Sequence, residues 1–229
     1  MDNKDYIPGT NIEIYQTENR FKYTTDSLIL SSFANIKGKV MDVGCGNGIL
    51  GLRVLNRASE VVAVDIDKVY TDNLNKTIEL NDLKNIEVIN SKVEDLRDYH
   101  GYFDCIITNP PYFEDKPTMG LVDGRERHTE DIFTFLKAIS RNLKYGGRLY
   151  MVFPSMRLQE ISVYFKELNL FIKRIRFIKK NMHSKSNIML LDIRLGGNYN
   201  LEILPDFYMY EGTEMTEEFN AVYRNEVMK

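Results

Sequence analysis

Cysteine is scarce in this chain: Cys45 and Cys105 are the only two among 229 residues. Two are too few for a disulfide framework, and both fall in segments that read as core or tight turn, so a reducing cytoplasm is the expected setting. The three histidines are scattered, and no Cys/His group has metal-ligand spacing, so no metal centre is expected. No apolar run approaches the ~20 residues of a membrane-spanning helix. The opening MDNKDYIPG is polar and carries acids, unlike a signal peptide.

Net charge is also small, at -3, so bulk charge gives no argument for a polyanionic partner. Its distribution does. Between Lys166 and Arg194 stand eight Lys/Arg and two acids, while from Leu201 onward there are seven acids and two bases. A basic stretch inside a mildly acidic protein suggests a localised anionic partner, or else a solvated face that keeps the chain soluble.

What is present is an alternation of strand and helix signals. Strands are expected at 39–43, 60–64, 85–89, 103–108 and 148–153, with helices at 49–57, 67–80, 129–143 and 156–168. Asp67 is the expected N-cap of the second helix, and Gly146-Gly147 the stop of the third. Two β-type runs follow, 171–180 and 187–195, joined by a short polar loop that reads as an antiparallel connection at one sheet edge. The fold class expected is α/β: a doubly wound, Rossmann-like, seven-stranded, mostly parallel sheet with an antiparallel edge strand. One domain is expected over 1–229, with 1–38 covering cofactor and substrate, 39–195 as core and 196–229 as a C-terminal extension.

The segment Asp42-Val43-Gly44-Cys45-Gly46-Asn47-Gly48 lies between the first strand and its helix. Alternate glycines let the backbone turn sharply and let a ligand approach the main chain, next to free N–H groups of the helix start. Asp65 ends the neighbouring strand, where a carboxylate can accept ribose hydroxyls. Gly46, Gly48 and Gly51 also satisfy the dinucleotide fingerprint, with Asp65 nineteen residues beyond Gly46, so a nicotinamide or flavin enzyme competes. An acid at Asp42 suits the cationic amino group of S-adenosylmethionine better than a pyrophosphate, and the glycines are denser than a pyrophosphate turn needs. Cys45 reads as a small filler.

The cluster Asn109-Pro110-Pro111-Tyr112 ends the fourth strand, at the carboxyl edge where open α/β sheets bind ligands. The prolines fix φ and carry no N–H, which leaves carbonyls free to accept. An aromatic amine is a poor nucleophile because its lone pair is delocalised. Acceptors at the Asn109 side chain and the Pro110 carbonyl can hold its two hydrogens, favour a pyramidal nitrogen and stabilise charge as it develops. Tyr112 can stack on an extruded base.

Glycine loop and Asn-Pro-Pro-Tyr together resemble the class I amino-methyltransferases, which act on adenine N6, cytosine N4, guanine N2 or glutamine N5. Over nearly its whole length the chain is similar to the bacterial valine-tRNA adenine N6-methyltransferases, which modify position 37 of the anticodon loop. The residues that carry this are 21–28 (FKYTTDSL), 109–113 (NPPYF), 127–131 (RHTED), 203–210 and Tyr223. The resemblance implies an enzyme that uses S-adenosylmethionine and binds tRNA as a monomer. It implies cofactor contacts at Tyr23, Thr25, Asp26, Asp42, Gly44, Cys45, Gly46, Asp65, Ile66, Lys92, Val93 and Asn109. Related enzymes usually carry an acid after the third strand, where this chain has Lys92. Either the acid has moved to Glu94 or Asp95, or backbone and apolar contacts, for instance at Val93, hold the adenine.

Substrate contacts are expected from Tyr112, Phe113, Arg125, Arg127 and His128, and from a basic face carrying Lys179, Lys180, His183 and Lys185. The rivals are a protein glutamine N5-methyltransferase and an rRNA or DNA amino-methyltransferase. Only 38 residues precede the first core strand, little for the helical domain the glutamine enzymes usually carry.

Overall fold

In the computed structural model, residues 2–17, 24–110 and 132–228 are described. Strands β1 (Asp2–Tyr6) and β2 (Glu13–Thr17) form an antiparallel hairpin, and helix α1 (Thr25–Phe33) follows. The core then runs β3 (Lys39–Val43), α2 (Ile49–Val54), β4 (Glu60–Asp65), α3 (Lys68–Leu80), β5 (Ile86–Asn90) and β6 (Phe103–Thr108). Next come α4 (Ile132–Asn142), β7 (Leu143–Pro154), α5 (Leu158–Glu167), β8 (Leu170–Lys179) and β9 (Ile188–Leu195). The chain ends in four two-residue strands and a helix: β10 (Glu202–Ile203), β11 (Phe207–Tyr208), β12 (Tyr210–Glu211), β13 (Glu214–Met215) and α6 (Glu217–Tyr223).

The sheet has the order β10-β8-β9-β7-β6-β3-β4-β5, with β11 also on β8. Strands β3 to β7 pair in parallel, and β9 is antiparallel to both neighbours. Side chains alternate between two cores. Val40, Val61, Ala63 and Ile107 face the layer of α1, α2 and α3, whereas Met41, Val62, Val64 and Ile106 face that of α4 and α5. This is the doubly wound arrangement: β3, β4 and β5 step one way, then β6 returns to the other side of β3 and opens a topological switch point there.

Three expectations need correction. Among the described residues the sheet has nine strands, because β10 and β11 extend it beyond β8. The antiparallel strand is not at the edge: β9 inserts between β7 and β8. Met189 through Ile193 of β9 are buried, while β8 is half-exposed along much of its length, so two-sided burial puts β9 inside. Finally, Gly146-Gly147 does not stop a helix. Helix α4 ends at Asn142, and the glycines form a bulge within β7, where the register with β6 jumps from Phe103↔Leu143 to Cys105↔Arg148. Gly146 has φ +83°, and a Cβ on Gly147 would stand 2.8 Å from the Lys144 carbonyl oxygen, so this bulge requires glycine.

Both ends of the chain pack onto the core. The main-chain N–H of Glu13 donates to Asn81 Oδ1 (3.0 Å) and that of Tyr15 to Thr77 Oγ1 (3.1 Å), which seats the hairpin on α3. The acidic C-terminal segment packs on the core, with Phe207, Phe219 and Val222 buried. Its acids neutralise part of the basic stretch: Glu218 pairs with Arg176 and Asp206 with Lys179. No helix among the described residues is long and apolar enough to cross a membrane.

Candidate active site

The glycine loop and Asn109 leave the carboxyl ends of adjacent strands, β3 and β6, on either side of the switch point. Thr108 ties these ends together, because its buried hydroxyl donates to the Val43 carbonyl (2.8 Å). The loop is anchored on β4 from below: the N–H groups of Gly44 and Cys45 both donate to the Val64 carbonyl, at 2.9 and 3.0 Å. Gly44, Gly46 and Gly48 all have positive φ, +67°, +52° and +78°. A Cβ on Gly44 or Gly46 would meet nothing within 4 Å, so these positions border open space, as a cradle for a ligand would. Gly48 is the N-cap of α2, whose first N–H groups face the same edge.

Asp65 holds the shape of the loop. One carboxylate oxygen accepts from the Gly46 N–H (2.7 Å) and the other from the Asp67 N–H (2.9 Å). Each oxygen keeps a lone pair that could accept a ribose hydroxyl. Burial raises its pKa, and the two N–H donors oppose that shift. Ile66 beside it is 41% exposed, an apolar surface at the rim.

Asp42 lies deeper than the sequence suggests. It is fully buried, with Oδ2 accepting from the Gly51 N–H of α2 (2.8 Å) and Oδ1 without a hydrogen-bond partner among the described residues. Burial pushes its carboxyl up to about 7; the Gly51 bond opposes this and the Asp65 charge adds to it. Cys45 is buried, and burial together with those two carboxylates drives its thiol well above the ordinary value, so it is no nucleophile. The open glycines, the Asp65 carboxylate and an unpartnered buried acid beneath the loop fit S-adenosylmethionine, whose cationic end they would complement.

Asn109 is half-buried and its side chain is fixed. Its Nδ2 donates both hydrogens, to Thr24 Oγ1 (3.1 Å) and Ser27 Oγ (3.0 Å). Thr24 is the N-cap of α1, and its Oγ1 also accepts from the Ser27 N–H. The amide is thereby oriented with Oδ1 as its unused acceptor among the described residues. Thr24 and Ser27 stand 85 and 82 residues from Asn109, so only the TTDS pattern at the start of α1 points to them in the sequence. Thr25 and Asp26 lie beside them in the first turn of α1, both half-buried. Pro110 is buried. Tyr23, Pro111, Tyr112, Phe113, Arg125, Arg127 and His128 lie outside the described residues.

Beyond β5, Lys92 precedes a short 3-10 turn over Val93–Asp95, and the Val93 side chain packs into the α4/α5 core. The loop 180–187 lies at the same sheet edge as Asn109, because β8 ends there and β9 begins there. Two strands separate β8 from β6, a displacement of about 14 Å at the usual strand spacing. Lys179 is engaged by Asp206 (2.6 Å), whereas Lys180, His183 and Lys185 are exposed.

Residues 18–183 match the family model described as "Methyltransferase small domain". The chain is 27% identical over 215 residues to a tRNA1(Val) (adenine(37)-N6)-methyltransferase of a Shewanella species, covering 81% of this chain and 91% of that protein. It is 34% identical to a ribosomal RNA small subunit methyltransferase C of Haemophilus influenzae, over 62% of this chain and 42% of the relative. Among solved structures, an Agrobacterium tumefaciens protein described as a predicted O-methyltransferase superposes with a TM-score of 0.73 at 19% identity, over 89% of this chain and 98% of that one. The chain thus belongs to the methyltransferase small domain family and is an S-adenosylmethionine-dependent methyltransferase.

Proposed function

We propose that this enzyme methylates N6 of an adenine in tRNA, with adenine 37 of a valine tRNA as the target. The observation that supports this reading is Asn109: an amide whose two N–H groups are occupied, so that its oxygen is left to accept, as an exocyclic amine requires. The names and coverage of the full-length relatives favour tRNA over rRNA, since the rRNA relative shares only 42% of its length.

S-adenosylmethionine supplies an electrophilic methyl group on a sulfonium. The loop Gly44–Gly46, with Asp65 and Ile66, would hold the nucleoside part; Thr25 and Asp26 would cover it, as the resemblance implies for Tyr23 too, and Lys92 and Val93 would lie toward the adenine. Asn109 Oδ1 and the Pro110 carbonyl accept the two hydrogens of the exocyclic amine. That would draw the nitrogen toward a pyramidal geometry with its lone pair exposed and stabilise positive charge as the lone pair forms the N–C bond and the S–C electrons return to sulfur, which leaves as the thioether S-adenosylhomocysteine; the methylated amine then gives up one N–H proton to solvent. By the resemblance, Tyr112 and Phe113 would stack on the base, and Arg125, Arg127 and His128 would contact RNA. A loop base is already single-stranded, so extruding it costs only unstacking, a few kcal/mol.

Asp42 contributes charge from beneath the loop. In the free protein its carboxyl titrates at about 7 against an ordinary 3.8, so the folded state keeps the proton longer than the unfolded chain. The associated stability is complete below about pH 4 and is lost as pH rises through 7. Ionised Asp42 attracts the cofactor's ammonium, so cofactor affinity should rise roughly tenfold from pH 5.5 to pH 7, below the ~8 of an α-amino group. Calorimetric titrations at the two pH values check this, and Asp42→Asn should flatten the difference; an equal rise in that variant would assign the effect elsewhere.

Lys180, His183, Lys185 and Lys179 make the RNA face at the catalytic edge. Reversing Lys180 and Lys185 to Glu should weaken tRNA binding at least about tenfold at low salt, with unchanged thermal unfolding. Unchanged affinity in a filter-binding titration would remove this loop from the RNA path. The reading as a whole is tested by incubating the enzyme with labelled S-adenosylmethionine and separately with total tRNA, ribosomal subunits, DNA and protein extract. Label should enter tRNA; label only in protein would select the glutamine rival.

A further inference from the structure

The sheet has a second charged site, at the edge opposite the glycine loop. A cleft of about 880 Å³ is lined by Lys37, Lys144, Arg148, Lys173, Arg174 and Arg194, against the acids Asp104, Asp192 and Glu202. Lys37 precedes β3, Lys144 and Arg148 sit in the bulged start of β7, Lys173 and Arg174 lie early in β8, and Arg194 is near the end of antiparallel β9. All therefore mark the amino ends of the parallel strands. From β8 through β9, β7 and β6 to β3 the row crosses five neighbouring strands, about 19 Å at the usual spacing.

The acids do not neutralise this row. Asp192, fully buried, is shared: Arg148 donates to both its oxygens (2.7 and 2.8 Å) and Arg174 to one (2.8 Å). One carboxylate thus holds two guanidiniums, each with further N–H donors to offer. Asp104 answers Lys144 (2.7 Å), and among the described residues Lys173 is bonded to the amide and carbonyl oxygens of Asn198 and to no acid. Lys37 and Arg194 are exposed and have no acidic partner among the described residues. Tyr145 lines the cleft almost wholly in solvent, at 81% exposure, and Tyr199, at 77%, precedes the lining residue Asn200. Both rings are braced: Tyr145 lies against Gly196, and Tyr199 packs edge-on against Phe171 at 5.1 Å.

We infer that this cleft is a second docking surface for RNA, one that takes backbone phosphates on its cations and an unpaired base on its tyrosines. A row about 19 Å long exceeds a mononucleotide and matches a short run of phosphates. Exposed, braced aromatic rings among cations are what a single-stranded stretch requires. The inference rests on the RNA reading of the catalytic site, but it concerns the opposite edge, where a short fragment bound at Asn109 does not reach.

The test is a salt series of binding isotherms with full-length tRNA, for the intact protein and the variant Lys37→Gln/Lys173→Gln/Arg194→Gln. Arg148 and Arg174 are left alone because removing either strands part of the buried Asp192 pairing. The dissociation constant should rise about tenfold at 0.1 M salt, and the slope of log K against log salt should fall by about two, as expected for three lost phosphate contacts. Cofactor affinity, measured in parallel, should not change. Equal affinity and slope in the variant would overturn the second surface while leaving the catalytic reading standing. An intact protein that binds no RNA would overturn both. Protection of the intact protein by inorganic pyrophosphate, with variant tRNA affinity unaltered, would make the cleft a small-anion site and also overturn the inference.

Discussion

Asn109→Ala should lower turnover about a thousandfold, the scale seen when one preorganised polar contact to a transition state is removed. The loss should appear in kcat, because the alanine no longer supplies the acceptor that opposes the developing charge on nitrogen. The cofactor's dissociation constant should stay within about tenfold, since the glycine loop and Asp65 are built by β3 and β4 without Asn109. Ser27→Ala should fall between the two: it removes one of the two hydroxyls that orient the amide, and Thr24 still holds the other hydrogen. Single-turnover rates alongside cofactor titrations separate these outcomes. Near-normal turnover in Asn109→Ala would sink the mechanism.

The second large effect is on stability. Arg53 of α2 is fully buried and reaches three segments: Nε donates to Ser31 Oγ of α1 (2.7 Å), one terminal nitrogen to the Val222 carbonyl of α6 (2.6 Å) and the other to the Pro8 carbonyl. It therefore clamps the N-terminal turn and the C-terminal helix to the helix that the glycine loop opens. Arg53→Met fills similar volume but removes all three charge-assisted bonds, although the Val222 carbonyl keeps the Asn225 N–H (3.0 Å) and the Ser31 hydroxyl still donates to the Leu28 carbonyl (2.7 Å). At about 1.5–3 kcal/mol for each hydrogen bond to a charged group, a loss of about 3 kcal/mol or more is expected. Urea unfolding would measure it. A change below about 1 kcal/mol would mean that the termini do not depend on this clamp.

The sequence exposes the centre of the fold better than its periphery. Strands β3 and β6 have the bounds that their apolar runs and flanking breakers suggest, and Asp67 does cap α3, accepting from the Val69 N–H. These elements are specified locally, by short β-branched runs and a capping side chain. Whether β8 or β9 lies outside is not specified by the hairpin loop, which serves either order. The signal was in composition: β9 opens on Ile188-Met189-Leu190-Leu191, an apolar run suited to burial on both faces, while β8 carries Lys173, Arg174 and Arg176. Gly146-Gly147 misled because a glycine pair after an amphipathic helix looks like a helix stop, and only the pairing partner β6 shows it to be a bulge.

The site divides the same way. The loop and Asn109 were legible because each follows a strand at a carboxyl end, and the doubly wound order brings two such ends together. The hold of Thr24 and Ser27 on Asn109 was not, since it joins residues more than 80 positions apart. Nor was the pairing of the acidic tail with the basic strands, which reduces the apparent basic face to a few exposed cations at two sheet edges. Net charge along a sequence says nothing of which acids answer which bases.

The central claim is the atom that receives the methyl group. The enzyme, S-adenosylmethionine and unmodified valine tRNA should be incubated together, the RNA digested to nucleosides, and the products separated by chromatography and mass spectrometry. The account predicts N6-methyladenosine, absent when Asn109 is replaced by alanine and mapping to the base at position 37. A methylated product that is instead 1-methyladenosine or 2-methyladenosine, or a ribose methylation, would contradict it, because none of these needs an amine held at Asn109.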